Sequence, residues 1–503
     1  MNVADFLLAG KQPDRVALRH VHALHTYGEL QGVVEAIAGY LVETGGRKGD
    51  RAILLSDNSF FWVAAYLGVL RAGLICVFLP TAVSPEELEY ILEITEARFA
   101  FLQVGVAARA RGRFHPMPVL TDADVLRLPR VPAPLPSTDL PGHVPHTTPS
   151  LPQVFPSDLA ALMFTSGSTG RPRGVMVSHA NIMANTESIT RYLGLTEHDR
   201  MMAVLPFHYC FGTSLLHTHL RVGASLVIGS NFMYPEAVLQ RMIETECTGF
   251  AGVPSHFQIL LRNSSLRKKE FPHLRHVQQA GGHLAPGYIP ELQEALPRTQ
   301  VFIMYGQTEG TSRLSYLPPD LLREKSGSIG KGIPGVTLRV LNESGGDVNP
   351  GEVGEVVAKG ENVTEGYWRD PTESAISFRN GSLYTGDLGT IDQDGFIYIV
   401  GRAKDFLKCG GKRVSCRQLE ERILEFDGLL EAAVIGMPDD ILGEAVKAFV
   451  VSRAPSSDGL AERVLQFCKE HLPPDLVPHD IVVLDTLPKN SAGKVLKQNL
   501  KDL

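Results

Sequence analysis

The chain has 503 residues, too many for one ordinary hydrophobic core, so we expect roughly two to four domains or subdomains. Apolar residues make up 44% and charged residues 20%, which is the composition of a folded globular protein and excludes a disordered chain. The formal net charge of −7 argues against a nucleic-acid partner, because nucleic-acid binders present basic surfaces.

The N-terminal stretch "MNVADFLLAGKQPDR" has no basic segment followed by a long apolar run, so we expect no signal peptide. The apolar stretch at residues 60–80, "FFWVAAYLGVLRAGLICVFLP", is long enough to suggest a membrane span. Arg71 and Gly73 divide it, and a charge at the centre of a bilayer is costly. The pattern therefore predicts a buried helix, a turn and a buried strand, with no membrane span.

Short apolar runs further along the chain are typical of buried strands, and longer amphipathic stretches such as "PEAVLQRMIETE" at 235–246 predict helices between them. The runs are "RAILLS" at 51–56, "ASLVIGS" at 224–230, "RHVQQAGG" at 275–282 and "TQVFIMYG" at 299–306. This alternation predicts an α/β fold of mixed sheets layered with helices. Residues 128–158 are dense in proline and predict a surface connection.

The pattern changes at Val336, where short strand-like runs alternate with Gly, Asn and Asp turns and predict a small β unit. Helix-like and strand-like segments alternate again after residue 404. We expect a large N-terminal domain at 1–400, a hinge at 401–404 and a small mobile C-terminal α+β domain at 405–503.

The cysteines are scattered and form no C-x-x-C pair, which favours neither a disulfide framework nor a zinc site. A reducing compartment fits this usage best, so we expect a cytoplasmic protein. The six are Cys76, Cys210, Cys247, Cys409, Cys416 and Cys468.

The glycine-rich stretch "TSGSTGRPRG" at 165–174 has the composition of a phosphate-binding loop. Such a loop offers hydroxyls, positive charge and a backbone that can approach an oxygen closely. It is not a Walker A sequence, and a polar surface turn is the alternative. The candidate ligands are Thr165, Ser166, Gly167, Ser168, Thr169, Gly170 and Arg173.

Three further clusters contain candidate functional residues, although each taken alone is equally typical of a turn, a solvated face or a loop. In "VFIMYGQTEGTS", Tyr305 could stack on a base, while Thr308 and Glu309 could contact phosphate and Mg²⁺. The second cluster runs from "LYTGDLG" to "GRAKDFLKCGGKRV", and its Asp387 could accept hydrogen bonds from a ribose diol. The third, "LPKNSAGKVLK", places Lys494 near the C-terminus.

In this order and spacing, the four clusters resemble the adenylate-forming superfamily of acyl- and aryl-CoA synthetases, luciferases and peptide-synthetase adenylation domains. The resemblance covers essentially the whole chain and is closest to the acyl-CoA ligases. It implies a mobile loop at 165–174 that holds the β- and γ-phosphates of ATP. It also implies an adenine and magnesium side formed by Gly281, Gly282 and Tyr305, with Thr308 near phosphate and Glu309 toward Mg²⁺.

The resemblance assigns the ribose to Asp387 and Arg402, and contact with the reacting carboxylate and α-phosphate to Lys494. It places the hinge at Lys404. In a second half-reaction, Lys408 would approach the site, with Gly410 and Gly411 along the path of CoA.

The segment "LPFHYCFG" matches the part of the family that borders the acyl group and the thiol path. His208 is the expected catalytic residue there, and the expected acyl-pocket residues are Phe207, His208, Tyr209, Phe211 and Gly306. An alternative is that some of these aromatic residues belong to the core. Arg173 stands where the family usually has lysine, so we expect loop closure to be tuned, because a planar fork replaces a compact ammonium.

These matches imply an enzyme that converts a carboxylic acid and ATP to acyl-AMP and pyrophosphate, and then transfers the acyl group to CoA. Mg²⁺ is the implied metal. The segment "FHYCFG" lacks the aspartate that α-amino-acid-activating domains carry, so an uncharged acyl group is favoured.

Two alternatives remain open. One is transfer to the phosphopantetheine of a carrier protein, or to an amine. Any carrier would act in trans, since none follows Leu503. The other alternative is a non-catalytic acyl or nucleotide sensor. We expect a monomer or a homodimer.

Overall fold

The structure of the protein is a computed structural model. It describes residues 1–109, 112–129, 151–165, 171–230, 232–402, 405–409, 412–439, 443–452, 459–489, 495–501 and 503, with backbone only at 408, 412, 413 and 443. Within these residues no helix combines the length and the apolar character that a membrane span requires. The predicted surface connection lies mostly outside the described residues, at 130–150.

Several helices begin at residues whose side chains satisfy free backbone N–H groups. Thr26 and Glu29 form a reciprocal capping box at the start of the second helix, and Ser178 and Asn181 do the same at the seventh. The helices are α1 (Val3–Leu8), α2 (Tyr27–Glu43), α3 (Phe60–Arg71), α4 (Pro85–Thr95), α5 (Val104–Arg109), α6 (Asp122–Val125), α7 (His179–Leu193), α8 (Cys210–Val222), α9 (Pro235–Glu244), α10 (Pro254–Asn263), α11 (Tyr288–Ala295), α12 (Pro371–Ser377), α13 (Cys416–Ile423) and α14 (Leu460–His471).

The strands fall into four sheets. They are β1 (Val16–Arg19), β2 (Leu24–Thr26), β3 (Arg51–Leu55), β4 (Ile75–Phe78), β5 (Phe99–Leu102), β6 (Val119–Thr121), β7 (Leu159–Thr165), β8 (Arg173–Ser178), β9 (Arg200–Met202), β10 (Ser225–Val227), β11 (Gly249–Gly252), β12 (His276–Gln279), β13 (Gln300–Tyr305), β14 (Ser315–Leu317), β15 (Lys331–Gly332), β16 (Val336–Leu341), β17 (Gly354–Gly360), β18 (Phe378–Arg379), β19 (Ser382–Ile391), β20 (Ile397–Arg402), β21 (Phe406–Cys409), β22 (Lys412–Ser415), β23 (Leu429–Asp439), β24 (Gly443–Ser452) and β25 (Asp480–Leu484).

Two large sheets form the N-terminal domain in the described part of the chain. One has the order β15-β14-β13-β12-β11-β9-β10-β1-β2, and the other β6-β5-β3-β4-β7-β8. The main hydrophobic core joins faces of both sheets through α2, α3, α7 and α8. The opposite face of the first sheet packs on α9, α10 and α11. The predicted layering of helices on mixed sheets is confirmed, and the stretch at 60–80 is indeed a buried helix followed by a buried strand.

The two smaller sheets match the predicted β unit and the predicted C-terminal α+β domain. The β unit has the order β16-β17-β19-β18, with β20 paired to β19. In the C-terminal domain the sheet has the order β22-β21-β24-β23, with β25 on β24, and it packs against α13 and α14. The exact limits 1–400 and 405–503 remain predictions.

The sheet register brings the site together. Strands β11, β12 and β13 are parallel neighbours, so their carboxyl ends meet at one edge of the large sheet. Ligands of open α/β sheets bind outside such carboxyl ends. The turns that follow β12 and β13 contain Gly281 and the segment from Gly306 to Arg313.

Candidate active site

The turn after β13 folds back tightly on its own strand, and Gly306 makes this possible. A Cβ atom at Gly306 would lie 1.9 Å from the carbonyl oxygen of Ser312 and 2.9 Å from the Cα of Arg313. No side chain fits there, so the backbone of 307–312 can pass directly beside the strand end. Gly306 was predicted as an acyl-pocket residue, and the structure shows that it shapes the loop between the candidate nucleotide and acyl regions.

The turn is also tied down by hydrogen bonds. The Asn362 side chain donates from Nδ2 to the backbone carbonyls of Gly310 and Arg313, both at 2.9 Å. The backbone carbonyl of Asn362 accepts a hydrogen bond of 2.6 Å from the Thr311 hydroxyl. Thr311 adopts φ +52°, a conformation that non-glycine residues rarely take and keep only when their surroundings fix it. The segment that presents Thr308 and Glu309 is therefore rigid.

Asp387 lies on β19 beside this turn and is only 6% exposed. Its Oδ2 accepts a hydrogen bond of 2.6 Å from the Tyr305 hydroxyl, and its Oδ1 lies 3.1 Å from the Arg402 Nε donor. Burial and the Asp387 charge raise the pKa of Tyr305, so the phenol stays a donor. The same carboxylate raises the pKa of Arg402. The structure thus brings together three predicted residues, Tyr305, Asp387 and Arg402.

Glu309 is oriented by a residue that the sequence did not reveal. The Tyr367 hydroxyl donates to Glu309 Oε1 at 2.8 Å, and burial together with the Glu309 charge raises the pKa of that tyrosine. Among the described residues no three His, Cys, Asp or Glu side chains are grouped to hold a metal by themselves. Mg²⁺ usually takes one or two carboxylates plus phosphates and water, so one oriented carboxylate beside a phosphate site fits it.

The segment before α8 connects to the same turn. Thr308 donates to the thiol of Cys210 over 3.5 Å, at the start of that helix. His208 lies against Tyr209, with ring centroids 4.5 Å apart. Burial lowers the pKa of His208 to about 4, so the imidazole is neutral at physiological pH, and its Nε2 has no hydrogen-bond partner.

The predicted acyl-pocket aromatics divide into two groups. Phe207 is fully buried and packs on Trp62, with ring centroids 5.3 Å apart, so it belongs to the core, the alternative that the sequence left open. Phe211 faces another way, toward the guanidinium of Arg313. Its ring therefore lies beside the turn after β13.

Thr165 and Arg173 are paired across the β7–β8 hairpin and flank the glycine-rich loop. Arg173 is 15% exposed, and its guanidinium pairs with Asp370 at 3.2 Å and Glu373 at 3.1 Å, above the Tyr367 ring. In this conformation Arg173 fixes the base of the loop against α12. Ser166, Gly167, Ser168, Thr169 and Gly170 lie outside the described residues.

The glycine pair after β12 allows close approach to a neighbouring loop. Gly281 has φ +81°, and Cβ atoms at Gly281 and Gly282 would lie 3.0 and 3.2 Å from Val253 and Pro254. The next residue, His283, contacts the C-terminal domain. The described residues thus place the predicted adenine-side glycines at an interdomain contact.

His283 lies between two side chains of α13. The Arg417 Nη2 donor is 2.5 Å from His283 Nδ1, and His283 Nε2 is 2.8 Å from Glu421 Oε1. Burial opposes the charge of Glu421, but the hydrogen bond and positive charges around it outweigh burial and lower its pKa to about 2. His283 thus joins the large domain to an ion pair, Arg417–Glu421, within α13 of the C-terminal domain.

Lys404, Gly410, Gly411 and Lys494 lie outside the described residues, as does the side chain of Lys408. The residues that flank Lys494 are described: Lys489 and Val495 pair as a β-bridge, and Lys489 forms an ion pair of 2.6 Å with Glu431. Burial and then the charge of Lys489 lower the pKa of His256, which lies next to the end of β11. Lys489, on the N-terminal side of Lys494, therefore lies near the edge of the large sheet where the site lies.

Sequence reasoning missed three kinds of residue here. Tyr367 and the carboxylates of Asp370 and Glu373 act through contacts with residues nearly 60 or 200 positions away, which no local pattern shows. Arg313 stands just beyond the recognised "YGQTE" cluster, and a single cation among small residues gave no sign of burial. The one available signal was its position four residues after Glu309.

Comparisons with known proteins agree with this geometry. The family model "AMP-binding enzyme" matches residues 8–368, and "AMP-binding enzyme C-terminal domain" matches residues 418–494. A probable CoA ligase of Humulus lupulus is 30% identical over 97% of this chain and 94% of that protein.

Two solved structures are similar over nearly all of their length. The o-succinylbenzoate CoA synthetase of Bacillus subtilis, in complex with its acyl-adenylate intermediate, has a TM-score of 0.86 at 28% identity, covering 100% of this chain and 98% of that one. The amide bond synthetase McbA of Marinactinospora thermotolerans has a TM-score of 0.86 at 26% identity, covering 99% and 98%.

Fold and site define an enzyme that activates an acid with a nucleotide. The chain belongs to the AMP-binding enzyme family, whose model covers more than half of it. The predicted superfamily is confirmed, and with it the predicted type of enzyme, an AMP-forming acid–thiol ligase that uses ATP, Mg²⁺ and CoA.

Proposed function

We propose that the site described above joins a small carboxylic acid to the α-phosphate of ATP, releases pyrophosphate, and then transfers the acyl group to the thiol of CoA. The observation that supports this most is the Tyr305–Asp387–Arg402 cluster. It places a buried carboxylate, with a fixed tyrosine and an arginine, directly beside the turn that presents Thr308 and Glu309. A ribose diol, a base and a phosphate chain fit that order of groups.

The chemical problem in the first half-reaction is charge. A carboxylate must approach a triphosphate, and two anions repel each other. Little covalent work falls on the protein, so positioning and electrostatic stabilisation supply most of the rate. Thr308, held by the rigid turn, would donate to phosphate, and Lys494 would neutralise the reacting carboxylate and α-phosphate. Thr165 and the loop that follows it would bind the β- and γ-phosphates.

Glu309 is the residue that would hold Mg²⁺, which supplies charge neutralisation at the phosphates when bound. Tyr367 would fix the direction of that carboxylate, since a hydrogen-bonded outer partner orients a metal ligand. Neutral His208 borders the acyl side, where an uncharged imidazole avoids adding a cation to the path of the thiol.

The second half-reaction requires a different face of the C-terminal domain. We infer that this domain rotates about Lys404, first presenting Lys494 and then Lys408 with Gly410 and Gly411. The contact of His283 with Arg417 and Glu421 is the interface that such a rotation would have to break.

Replacing Lys494 with alanine tests whether Lys494 acts in the first half-reaction and Lys408 in the second. We expect the variant to lose acid-dependent pyrophosphate release but to convert a preformed acyl-adenylate and CoA to acyl-CoA at nearly the wild-type rate. A Lys408→Ala variant is the matched control and should show the opposite pattern. Equal loss of both steps in either variant would contradict domain rotation.

A second acceptor class is favoured by one observation, the similarity to an amide bond synthetase. The same acyl-adenylate could be captured by an amine, or by the phosphopantetheine of a carrier protein. The adenylation site is common to all three outcomes, so only the acceptor distinguishes them. We place the enzyme in the cytoplasm because the six cysteines, all within the described residues, form no disulfide. A monomer or a homodimer remains our prediction.

The deciding experiment measures pyrophosphate release from ATP with a panel of aliphatic, aromatic and amino acids, with and without CoA. Acid-dependent release together with an acyl-CoA product is the expected result. Pyrophosphate release without formation of a thioester would indicate that the acyl acceptor is an amine or a carrier protein. Nucleotide binding without pyrophosphate release from any acid would overturn the proposal in favour of a sensor.

A further inference from the structure

Arg313, which follows the turn after β13, is 1% exposed and is the only fully buried arginine among the described residues. Its guanidinium lies over the ring of Phe211, 4.5 Å from the ring centre. The backbone carbonyl of Arg313 accepts hydrogen bonds of 2.9 Å from both Asn185 and Asn362. The residue is therefore anchored, and its charge is held inside the protein.

The guanidinium interacts with the Tyr192 phenol but lacks the carboxylate partner that buried arginines normally have. Its Nε and Nη2 atoms are buried without a hydrogen-bond partner, and no carboxylate in the described part of the chain lies within ion-pair distance. Arginine is always charged, and a buried charge without a counter-ion is strongly destabilising. By contrast, Arg173 pairs with both Asp370 and Glu373. The missing component at Arg313 is an anion.

The surroundings of Arg313 place that anion on the acyl side of the site. Arg313 acts on the Tyr192 phenol through its charge and a hydrogen bond, and on the Cys210 thiol through its charge, in both cases opposing the rise in pKa that burial causes. Cys210 in turn accepts from Thr308, the residue assigned to phosphate contact. The Cys210 side chain thus lies between the guanidinium and Thr308, and the Phe211 ring borders the guanidinium.

A second polar group in the same layer also lacks partners. Gln278 is 0% exposed, and both its Nε2 and its Oε1 are without hydrogen bonds. It is in register with Phe302 on the neighbouring parallel strand, so both side chains point to the same face of the sheet. Phe302 belongs to the core cluster that includes Phe211. Buried polar groups are normally satisfied, so an unpaired amide and an unpaired guanidinium in one layer point to a polar ligand there.

We propose that the acid substrate carries a second carboxylate, and that Arg313 binds it while the first carboxylate is activated. The inference rests on the proposed function and narrows its substrate class to dicarboxylic acids. A guanidinium offers parallel N–H donors that match the two oxygens of a carboxylate. The Phe211 ring holds the fork flat and excludes water, which strengthens the interaction.

This proposal departs from the expectation of an uncharged acyl group, which was based on the absence of an aspartate in residues 207–212. That absence argues against an ammonium group on the substrate. It says nothing about a second anion, for which Arg313 supplies the complementary charge.

The test compares matched acids in wild-type protein: propionate with malonate, hexanoate with adipate, and benzoate with phthalate and terephthalate. We expect one diacid to exceed its monoacid partner by about 10- to 100-fold in kcat/KM for pyrophosphate release, the effect of a charge-assisted hydrogen bond. Equal or better use of every monoacid would overturn the proposal. Absence of pyrophosphate release with all acids would instead mean that the proposed function itself fails.

Two variants separate recognition from folding. Arg313→Met should lose the diacid preference, by a rise in KM for the diacid, while use of the monoacid is unchanged or improved. Arg313→Lys should retain part of the preference. The matched control is Arg262→Met, because Arg262 also stacks on an aromatic ring, Tyr288, but pairs with Glu291 among the helices on the opposite face of the large sheet. Its diacid preference should equal that of the wild type.

A binding measurement supports the kinetics and does not depend on turnover. The preferred diacid should raise the melting temperature of wild-type protein in the presence of a non-hydrolysable ATP analogue, and should leave that of Arg313→Met unchanged. If Arg313→Met lowers activity equally toward monoacids and diacids while still folding, Arg313 acts on the reacting carboxylate or on the fold, and the proposal is wrong.

Discussion

The two sides of the candidate site differ in how completely their polar groups are satisfied. On the nucleotide side the side chains bond to one another, and the residues are Tyr305, Glu309, Tyr367, Asp387 and Arg402. On the acyl side several buried polar atoms lack hydrogen-bond partners, and they belong to His208, Gln278 and Arg313. Both sides meet at one turn, the segment from Gly306 to Arg313.

The difference indicates how each side treats its ligand. Satisfied groups are already held in one geometry, so the nucleotide side is preorganised and pays little to bind. Unsatisfied buried groups are destabilising until a ligand completes them. The acyl side is therefore the place where substrate binding changes stability most, and where specificity between acids is expected to arise.

Gly306→Ala should have the largest effect, because it disturbs both sides at once. The new Cβ would lie 1.9 Å from the Ser312 carbonyl oxygen, so the turn must move. We expect a loss of about 100-fold or more in pyrophosphate release, since a displacement of about 1 Å has that effect, and about 1–3 kcal/mol of lost stability.

The matched control for this change is Gly287→Ala, where no atom lies within 4 Å of the added Cβ. The control should have the same melting temperature by calorimetry as the wild type, and the same kinetic constants for ATP and for the acid. If Gly306→Ala impaired only one of the two substrates, the turn would not be the common support of both sides.

The local structure around the candidate nucleotide residues was largely predictable from sequence, because most of these residues lie in short clusters of chain neighbours, while their roles remain predictions. "YGQTEG" follows an apolar strand run, and the structure has a strand ending at Tyr305 and a tight turn after it. The helix at 60–71 and the strand at 75–78 were predictable for the same reason, since local apolar patterning decides both.

The acyl side was not predictable in this way. Whether Phe207 lines a pocket or packs on Trp62, and whether Arg313 is buried or solvated, depends on contacts between segments far apart in the chain. The strand order of the large sheet, in which β9 lies between β10 and β11, is likewise set by tertiary packing and has no local signal. Periodicity identifies the elements, and long-range packing decides which side chains meet.

Asp387→Asn should weaken the binding of ATP without affecting that of the acid. The amide oxygen can still accept a hydrogen bond from Tyr305. The substitution nevertheless removes the charge opposite Arg402 and one of the acceptors for a ribose diol. Loss of a charge-assisted hydrogen bond predicts a rise of about 10- to 100-fold in KM for ATP, with little change in KM for the acid.

Asp347→Asn is the control for that variant, because Asp347 pairs with Arg339 in the same small β unit but on an exposed surface. Exposed pairs contribute little, so its kinetics should match the wild type. Equal changes in the two Michaelis constants of Asp387→Asn would indicate that the two sides are not energetically separate.

Tyr367→Phe should have a smaller effect, confined to the metal. It removes the hydrogen bond to Glu309 and keeps the ring that packs under Arg173. Outer partners of metal ligands typically contribute 10- to 100-fold, and we expect the lower end, about 10-fold, in the Mg²⁺ concentration needed for half-maximal pyrophosphate release. Tyr398→Phe, which removes a long tyrosine contact to Asp392, is the control. An unchanged Mg²⁺ requirement would separate Tyr367 from metal binding.

His208 gives the smallest expected effect on rate and tests the acyl side through pH. Its pKa is about 4 in the folded protein and 6.5 in the unfolded chain, because burial disfavours the charged form. The unfolded state therefore binds the proton first, and the stability that the neutral residue supplies falls as pH drops from 6.5 to 4.

His208→Gln cannot take up this proton, so denaturant unfolding of the two proteins should diverge over that interval. Relative to the variant, wild-type stability should fall by roughly 3 kcal/mol between pH 7 and pH 4, at about 1.4 kcal/mol per pH unit once the unfolded histidine is protonated. Adenylation should meanwhile show no titration of His208 between pH 6 and 8. A wild-type step in that range, absent from His208→Gln, would mean that substrate binding or an unpaired acceptor holds the imidazole protonated, and that the acyl side is more polar than its buried surface indicates.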